Sequence, residues 1–504
     1  MPDWTYHPLR GLAASLLGTR QSQRAALRAT AAVGSLPGGG WLIARMLGHQ
    51  HPPAHLAGFV AGVSVRTRLG AVVPPSVARD AVRALPLIGA GLICVAPVSL
   101  ADVPTIRDAA AHRRVPLIVA TDDPCVATAL AGDVDAISSP SAAVYVTSPR
   151  IAPAAVALAD PAVTVLAAPS ALVEAGPGWF ARVTEAATPT TAPTRSIGSN
   201  PLKWPAWWWG LLVGLGMISA GFGAAAITLG PVLLWYDRDF LGTDLGHLHT
   251  LNHHLVHFLQ HDRITMAGTM IAIGVLYAGL AVGGIRRGRP WAREVYLVSG
   301  WIGFASLLYF LGIGFLEPLH TAVTAVLFPM FLLAVGKTSD SPQWTYREEG
   351  PEHERRKALL GQLLMVCTGA GLFIGGAVVS VVGLTDVFVP SDLEFLGTTA
   401  NILSNANPRL LPFIAHDRAG FGGALMAAAT AITLLSAWGW RRGEAWVWWS
   451  LALAAVFGFL PAVVVHGVIH YSDLGHLAPV FAGIAITLTA LILARPYLCG
   501  GRDG

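Results

Sequence analysis

Residues 206–495 contain apolar runs long enough to cross a lipid bilayer, and this feature limits the available folds more than any other. A bilayer core of about 30 Å is spanned by about 20 apolar residues in a helix. Charged residues make up 12% of the chain, roughly half the share in ordinary soluble domains. We therefore predict an α-helical polytopic membrane protein that contacts the lipid bilayer. The eight predicted spans are 206–235, 264–285, 294–316, 318–336, 358–385, 419–440, 445–469 and 476–495.

Lysine and arginine concentrate in every second connection between the predicted spans. Arg286, Arg287 and Arg289 follow the second span, and Arg441 and Arg442 follow the sixth. Positive residues favour the cytoplasmic side of a membrane. The pattern therefore predicts a multi-pass plasma-membrane protein with both termini in the cytoplasm. These loops also account for the net charge of +4, so we predict no nucleic-acid partner.

An internal repeat divides the membrane region into two copies. Four short motifs recur in the same order, three of them shifted by 155 positions and the last by one more. We predict two parallel four-helix repeats, residues 206–336 and 358–495, separated by a cytosolic loop at 337–357. The matched motifs are Asp237–Thr243 with Asp392–Thr398, His261–Arg263 with His416–Arg418, Arg286–Gly288 with Arg441–Gly443, and Glu317-x-x-His320 with Asp473-x-x-His476.

The repeated polar residues predict a cluster on the outer face. Each copy has His-Asp-Arg at the predicted outer start of its second helix and an acid-x-x-His unit at the start of its fourth. Ionisable residues at membrane depth indicate function, here the handling of an ion, a proton or a small solute. The alternative is structural: acids that cap helices and arginines that reach the interface. The predicted cluster comprises His261, Asp262, Arg263, Glu317, His320, His416, Asp417, Arg418, His466, His470, Asp473 and His476.

A histidine-rich segment is present in the first copy only. His249, His253, His257 and His261 stand four positions apart, so one helix would place them on one face. Imidazoles at this spacing are a candidate metal site. An amphipathic helix at the membrane surface is the alternative. Among cofactors, the pattern therefore favours a metal ion.

The sequence pattern of residues 1–187 predicts a cytosolic α/β domain. A predicted linker at 188–205 joins it to the membrane region. Short apolar strands alternate with helical stretches, which favours a parallel sheet or part of a (β/α) barrel. The predicted strands are Leu69–Val73, Gly91–Ala96, Pro116–Ala120, Ala143–Val146 and Val163–Ala167, and the predicted helices are Ser76–Leu85, Pro104–Arg113 and Cys125–Ala131.

The opening Trp4–Arg10 and the run from Gly70 through Gly91–Val95 resemble the start of a membrane-associated class 2 dihydroorotate dehydrogenase. Ile137–Pro140 resembles a later motif of that family. The resemblance implies N-terminal helices docked on the membrane, an FMN-binding barrel and a quinone partner. The chain departs from the family because no lysine precedes Lys203, whereas the family's flavin site uses lysines. About 190 residues are also too few for a barrel of about 250.

We therefore predict a degenerate, truncated domain that binds no FMN and serves as a module for a protein partner. The membrane region has no assigned catalytic residues under this hypothesis. Two alternatives are a divergent, quinone-linked dihydroorotate dehydrogenase-like oxidoreductase and a metal- or haem-binding electron-transfer protein.

Overall fold

The computed structural model of the chain describes residues 2–47, 52–138, 143–188, 200–337 and 350–500. These residues form two compact units. The first contains the described parts of 1–190 and 344–360, and the second contains those of 191–343 and 361–504. Most of the predicted linker at 188–205 and of the predicted loop at 337–357 lies outside the described residues, as do Ser139 and Pro140.

The first unit contains a parallel six-stranded sheet of order β6-β5-β4-β3-β8-β7. Its four inner strands are almost fully buried, as expected for a sheet covered by helices on its faces. The register pairs Val72 with Cys94 and Gly70 with Leu166. The strands are β1 (Gly58–Val60), β2 (Val63–Val65), β3 (Leu69–Val73), β4 (Ile93–Val95), β5 (Leu117–Val119), β6 (Ala136–Ile137), β7 (Ala143–Val146) and β8 (Thr164–Ala167).

The strand order resembles part of a (β/α) barrel, because the last strand, β8, pairs with β3, the first strand of the sheet. No pairing joins β6 to β7 among the described residues, so the sheet has two ends. All five predicted strands are present, and the antiparallel pair β1–β2 and the short β6 are additional. The helices are α1 (His7–Leu17), α2 (Thr19–Ser35), α3 (Gly39–Leu47), α4 (Pro75–Ala84), α5 (Val103–Ala111), α6 (Pro124–Leu130), α7 (Ile151–Ala159), α8 (Pro169–Ala175) and α9 (Trp179–Ala187).

The second unit is helical. Among the described residues, seven helices are long and apolar enough to cross a membrane. The third predicted span corresponds to α14, which has 17 residues, so the eighth crossing stays a prediction. The helices are α10 (Ala206–Leu229), α11 (Trp235–Leu241), α12 (Leu245–Leu251), α13 (His253–Gly279), α14 (Pro290–Ser306), α15 (Phe310–Ile313), α16 (Pro318–Gly336), α17 (Glu352–Leu384), α18 (Pro390–Leu396), α19 (Ala400–Ala406), α20 (Leu410–Gly439), α21 (Ala445–Val468) and α22 (Leu474–Cys499).

Two of these helices, α13 and α20, form the centre of the second unit. Buried residues make up 78% and 61% of their most apolar stretches, against 17–28% in the other five candidate spans. Small residues allow close packing of α10 on α13 and of α17 on α20. A Cβ at Gly221 would lie 2.8 Å from the Ala267 carbonyl, and one at Gly376 would lie 2.8 Å from the Gly422 carbonyl.

Three helices begin before the predicted membrane spans that they contain. α13 begins at His253 and α20 at Leu410, well before the predicted 264 and 419. α17 begins at Glu352, inside the loop predicted to run to residue 357. Each of these helices therefore includes polar residues before its apolar run, because charges that pair with one another can continue a helix.

Candidate functional site

The two His-Asp-Arg motifs lie inside α13 and α20, about two turns after each helix begins. All six side chains are buried, with exposed fractions of 1–8%. The expectation that these motifs stand at the helix starts was therefore wrong. The structural alternative is wrong for the same residues: Asp262 and Asp417 cap no helix, and Arg263 and Arg418 do not reach the surface.

The arginine of each motif binds the aspartate of the other motif. Arg263 Nε donates to Asp417 Oδ2 at 2.7 Å, and Arg418 Nε donates to Asp262 Oδ2 at 3.1 Å. The two bonds are reciprocal, as at an interface with two-fold symmetry. Buried ions need such partners, because an isolated charge inside a protein is strongly destabilising.

Two strained valines supply further acceptors for the arginines. Val232 and Val387 have positive φ angles of 58° and 66°, which a β-branched residue rarely adopts. Arg263 Nη1 donates to the Val232 carbonyl at 2.6 Å, and Arg418 Nη1 donates to the Val387 carbonyl at 2.9 Å. The same positive-φ conformation therefore presents a carbonyl acceptor to an arginine at two positions that are 155 residues apart. Such strain persists where the surrounding contacts hold it.

Asp237 and Asp392, the first residues of another repeated motif, complete the two arginine sites. Arg263 Nη1 lies 3.5 Å from Asp237 Oδ2, and Arg418 Nη1 lies 2.6 Å from Asp392 Oδ2. Burial raises the pKa of Asp237 to about 6, although the Arg263 guanidinium lowers it. The sequence repeat contained both aspartates, yet their role was not predicted.

The two arginine sites differ at the second carboxylate oxygen, Oδ1, of Asp237 and Asp392. Asp392 Oδ1 accepts a hydrogen bond of 2.9 Å from the Tyr471 hydroxyl. Asp237 Oδ1 is buried and has no hydrogen-bond partner among the described residues. Phe315 occupies the position equivalent to Tyr471, two residues before the acid-x-x-His unit, and has no hydroxyl to donate.

Each histidine of the two motifs is oriented by its neighbouring aspartate. His261 Nδ1 lies 2.9 Å from Asp262 Oδ1, and His416 Nδ1 lies 3.2 Å from Asp417 Oδ1. A carboxylate can only accept, so Nδ1 carries a proton in both rings. The neutral His261 ring therefore presents a lone pair at Nε2.

His261 meets two histidines that lie more than 200 positions further along the chain. Its Nε2 lies 3.0 Å from His466 Nε2. His466 Nδ1 donates to the Ala462 carbonyl at 2.6 Å, so His466 Nε2 also has a lone pair in the neutral ring. His476 completes a group whose ligand atoms all lie within 4.8 Å of one another. We name His261, His466 and His476 the three-histidine group.

His320 is not part of the three-histidine group and contacts a different set of side chains. Its Nδ1 lies 2.9 Å from Glu317 Oε2, and its ring centroid lies 5.5 Å from that of His416. Glu317 also accepts a hydrogen bond from the Tyr236 hydroxyl. Burial alone would raise the pKa of Glu317, but the hydrogen bonds from His320 and Tyr236 outweigh it and hold the pKa at about 2.

The acids of the two acid-x-x-His units cap helices, as the structural alternative predicted for Asp473. Glu317 Oε2 accepts from the His320 backbone N–H at 2.7 Å, and Asp473 Oδ2 accepts from that of His476 at 2.6 Å. The histidines of these units pair across the copies, His320 with His416 and His476 with His261. His470 is exposed, with a positive φ of 58°, and lies outside the three-histidine group.

The histidine-rich segment is not one helix, because Asn252 separates α12 from α13. The rings of His249, His253 and His257 still lie together, with centroids 5.0–6.0 Å apart. His261 does not join them and belongs to the three-histidine group instead. The four-histidine metal site stays a prediction, and the structure brings a different set of ligands together.

A cavity of about 550 Å³ lies between α10 and α16. Apolar and small side chains form most of its wall. None of the three-histidine group lines the cavity. The ionisable residues that line it are Tyr236, Asp237, Arg263, Glu317, His320 and Asp417.

Comparison with protein families, with curated proteins and with solved structures gives no match for this chain.

Proposed function

We propose that this chain is a metal-binding membrane protein in which the three-histidine group holds one transition-metal ion. The observation that carries the proposal is the 3.0 Å separation between His261 Nε2 and His466 Nε2. Both rings use Nδ1–H to donate to an acceptor, so two lone pairs face each other. Lone pairs at that distance repel unless a cation lies between them.

The spacing suits a metal ion. Zinc binds imidazole nitrogen at about 2.0–2.1 Å, so two ligands of a tetrahedral site lie about 3.3 Å apart. His261 and His466 are already near this separation, and His476 would need to move by at most about 1.5 Å from a group within 4.8 Å. Asp262 orients His261 as a second-shell carboxylate does in known metal sites.

The ligand set narrows the choice of metal. Three neutral imidazoles without a thiolate favour zinc, copper, nickel or iron over magnesium or calcium. Three protein ligands also leave a tetrahedral position for water or another small ligand. The proposed site is therefore suited to handling a ligand at the metal, in line with the small-solute function predicted from sequence.

The proposed ion would connect the two halves of the membrane region. We infer that residues 206–336 and 358–495 are duplicated four-helix units with eight crossings, and that α14 is the third. In support, α10, α13, α14 and α16 align in order with α17, α20, α21 and α22. His261 belongs to the first copy and His466 and His476 to the second. A bound ion would therefore stabilise the association of the copies.

The proposed orientation of the chain in the membrane follows from the distribution of its positively charged residues. Arg286, Arg287, Arg441 and Arg442 lie on the cytoplasmic side of the plasma membrane, with both termini. Glu444 supports a shared cytoplasmic end, since it pairs with Arg287 at 3.1 Å and with Arg289. The metal site then lies on the outer side.

Metal content tests the proposed function. The full-length protein, carrying an affinity tag without histidine, is purified in detergent, stripped with a chelator, reloaded with Zn²⁺ and desalted. We expect about one ion per chain, and at least a tenfold loss of retained zinc in His466→Asn. His470→Asn is the matched control, because His470 is four positions away and outside the group.

Two results would contradict the proposal. The first is wild-type protein that retains no metal, which would indicate that a proton shared between His261 and His466 holds the rings together. The second is zinc that His466→Asn retains but His253→Asn loses, which would place the ion on the exposed histidine-rich segment. Elution of each variant as a single peak in size-exclusion chromatography separates metal loss from unfolding.

A further inference from the structure

The cavity between α10 and α16 has two chemically different parts. Its walls are formed by side chains such as Ile227, Val326 and Leu327, from two candidate membrane-spanning helices. Gly223 lines it with open space where a Cβ would stand. A volume of about 550 Å³ falls within the usual range for a small-molecule site. An occupant needs an apolar portion and a polar head.

The charges at the polar part of the cavity determine which polar head group an occupant can have. Three carboxylates line it (Asp237, Glu317 and Asp417) against one guanidinium, Arg263. Arg263 is already bound to Asp417, and Glu317 is bound to His320 and Tyr236. An anionic head, such as a phosphate or a fatty-acid carboxylate, would face uncompensated negative charge. A neutral head group that donates a hydrogen bond would avoid this repulsion.

One acceptor in the lining lacks a donor. Asp237 is 2% exposed, and its Oδ1 has no hydrogen-bond partner among the described residues. A buried acceptor without a partner is destabilising, because it has lost its hydrogen bonds to water without replacing them. In the second copy the equivalent oxygen, Asp392 Oδ1, receives the phenolic hydroxyl of Tyr471. The first copy has Phe315 at that position.

We propose that this cavity binds a neutral amphipathic phenol from the bilayer, of the hydroquinone class, whose hydroxyl donates to Asp237 Oδ1. The hydroxyl supplies the bond that Tyr471 supplies in the second copy, and the apolar tail lies between α10 and α16. The site shares no residue with the three-histidine group, so it does not depend on metal binding.

Binding of a decyl-substituted hydroquinone to the full-length protein tests this inference. The protein is held in non-ionic detergent under anaerobic, reducing conditions, and bound ligand is measured by equilibrium dialysis. The dimethyl ether of the same compound keeps the tail and ring but has no hydroxyl to donate. Decanoate supplies an apolar tail with an anionic head. We expect the hydroquinone to bind at least tenfold more tightly than either.

Two variants locate the binding. Gly223→Phe fills the cavity, and we expect it to abolish binding of the hydroquinone. Gly371→Phe is the matched control, because Gly371 also has open space around its Cβ position but does not line the cavity. Asp237→Asn removes the carboxylate and is expected to weaken binding at least tenfold.

Three outcomes would overturn the proposal. Equal binding of the dimethyl ether would show that no hydroxyl is recognised. Equal or tighter binding of decanoate would show that the site takes an anionic lipid. Unchanged binding in Gly223→Phe would place the ligand outside the cavity. Because zinc retention is measured separately, failure here leaves the metal proposal unaffected, and failure of the metal proposal leaves this one standing.

Discussion

Arg263 Nε donates a hydrogen bond of 2.7 Å to Asp417 Oδ2, a carboxylate that lies 154 positions further along the chain. The return bond, from Arg418 to Asp262, measures 3.1 Å. Each repeated motif therefore contributes a partner to the buried charges of the other, beside Asp237 and Asp392. This reciprocal pairing accounts for the presence of both motifs in helices that pack at the centre of the second unit.

Removing one arginine should destabilise the protein strongly. Arg263→Leu leaves the buried carboxylates of Asp417 and Asp237 without their cation, which costs about 3–5 kcal/mol for a broken buried pair. Chemical denaturation in mixed micelles measures the change. Arg238→Leu, at an exposed position of the same region, should change stability by less than about 0.5 kcal/mol.

The double variant Arg263→Leu/Asp417→Leu distinguishes pairing from two separate effects. It should be less destabilised than the sum of its two single variants, because neither charge is then left without the other. Strict additivity would contradict a direct interaction between the two side chains.

Two asparagines should contribute equally to the contact between residues 206–336 and residues 358–495. Asn252 Nδ2 donates to the Leu396 carbonyl at 2.8 Å, and Asn407 Nδ2 donates to the Leu241 carbonyl at 2.9 Å. Substitution of either by Asp keeps the side-chain oxygen that accepts from a backbone N–H but removes the donor. We expect a loss of about 1 kcal/mol for each, measured by the same denaturation. A large difference between the two variants would contradict their equivalence.

Asp237 should make stability fall as the pH rises. Its pKa is raised to about 6 in the folded protein, against about 3.9 in an unfolded chain. The folded state therefore binds the proton more strongly. Its contribution is complete below pH 4 and is lost as the pH rises through about 6. The neutral variant Asp237→Asn should become more stable relative to wild type between pH 4 and pH 7.

Thermal unfolding of both proteins across that range measures this difference. Glu317 is present in both proteins, so its own effect, which develops as the pH falls from about 4 towards its folded pKa of about 2, cancels in the difference. The opposite trend, with the variant losing stability relative to wild type as the pH rises, would mean that pairing with Arg263 outweighs burial at Asp237.

Membrane orientation can be tested with reporter fusions. A reporter at the C-terminus or after Gly288 should be found in the cytoplasm, and one inserted near Thr399 should be found outside. With an even number of crossings, both termini lie on the same side. A C-terminal reporter found outside would contradict the proposed orientation, and together with an N-terminal reporter in the cytoplasm it would require an odd number of crossings.

The sequence alone predicted much of the architecture. Five strands of the sheet and the span 318–336 follow from runs of apolar residues, whose period and length reflect local structure. The spacing of the repeated motifs also indicated which residues to compare. These features depend on neighbours in the chain, so they can be recognised before the fold is known.

The arrangement of the site could not be predicted in the same way. Hydropathy treats His261, Asp262 and Arg263 as polar and therefore begins the predicted apolar span after them, at residue 264. In the structure these residues lie inside α13, because their partners come from α20. The partner of His261 was likewise not evident, since His466 lies 205 positions away and has no counterpart histidine in the first copy.

The most direct test of the metal proposal replaces one ligand by cysteine and follows cobalt. Co²⁺ occupies nitrogen and sulfur sites similar to those of zinc, and a cysteine thiolate bound to it gives an intense charge-transfer absorption. We predict that His466→Cys, loaded with one equivalent of Co²⁺, shows this band and that His470→Cys does not. No band in His466→Cys, or an equal band in His470→Cys, would contradict metal binding by His261, His466 and His476.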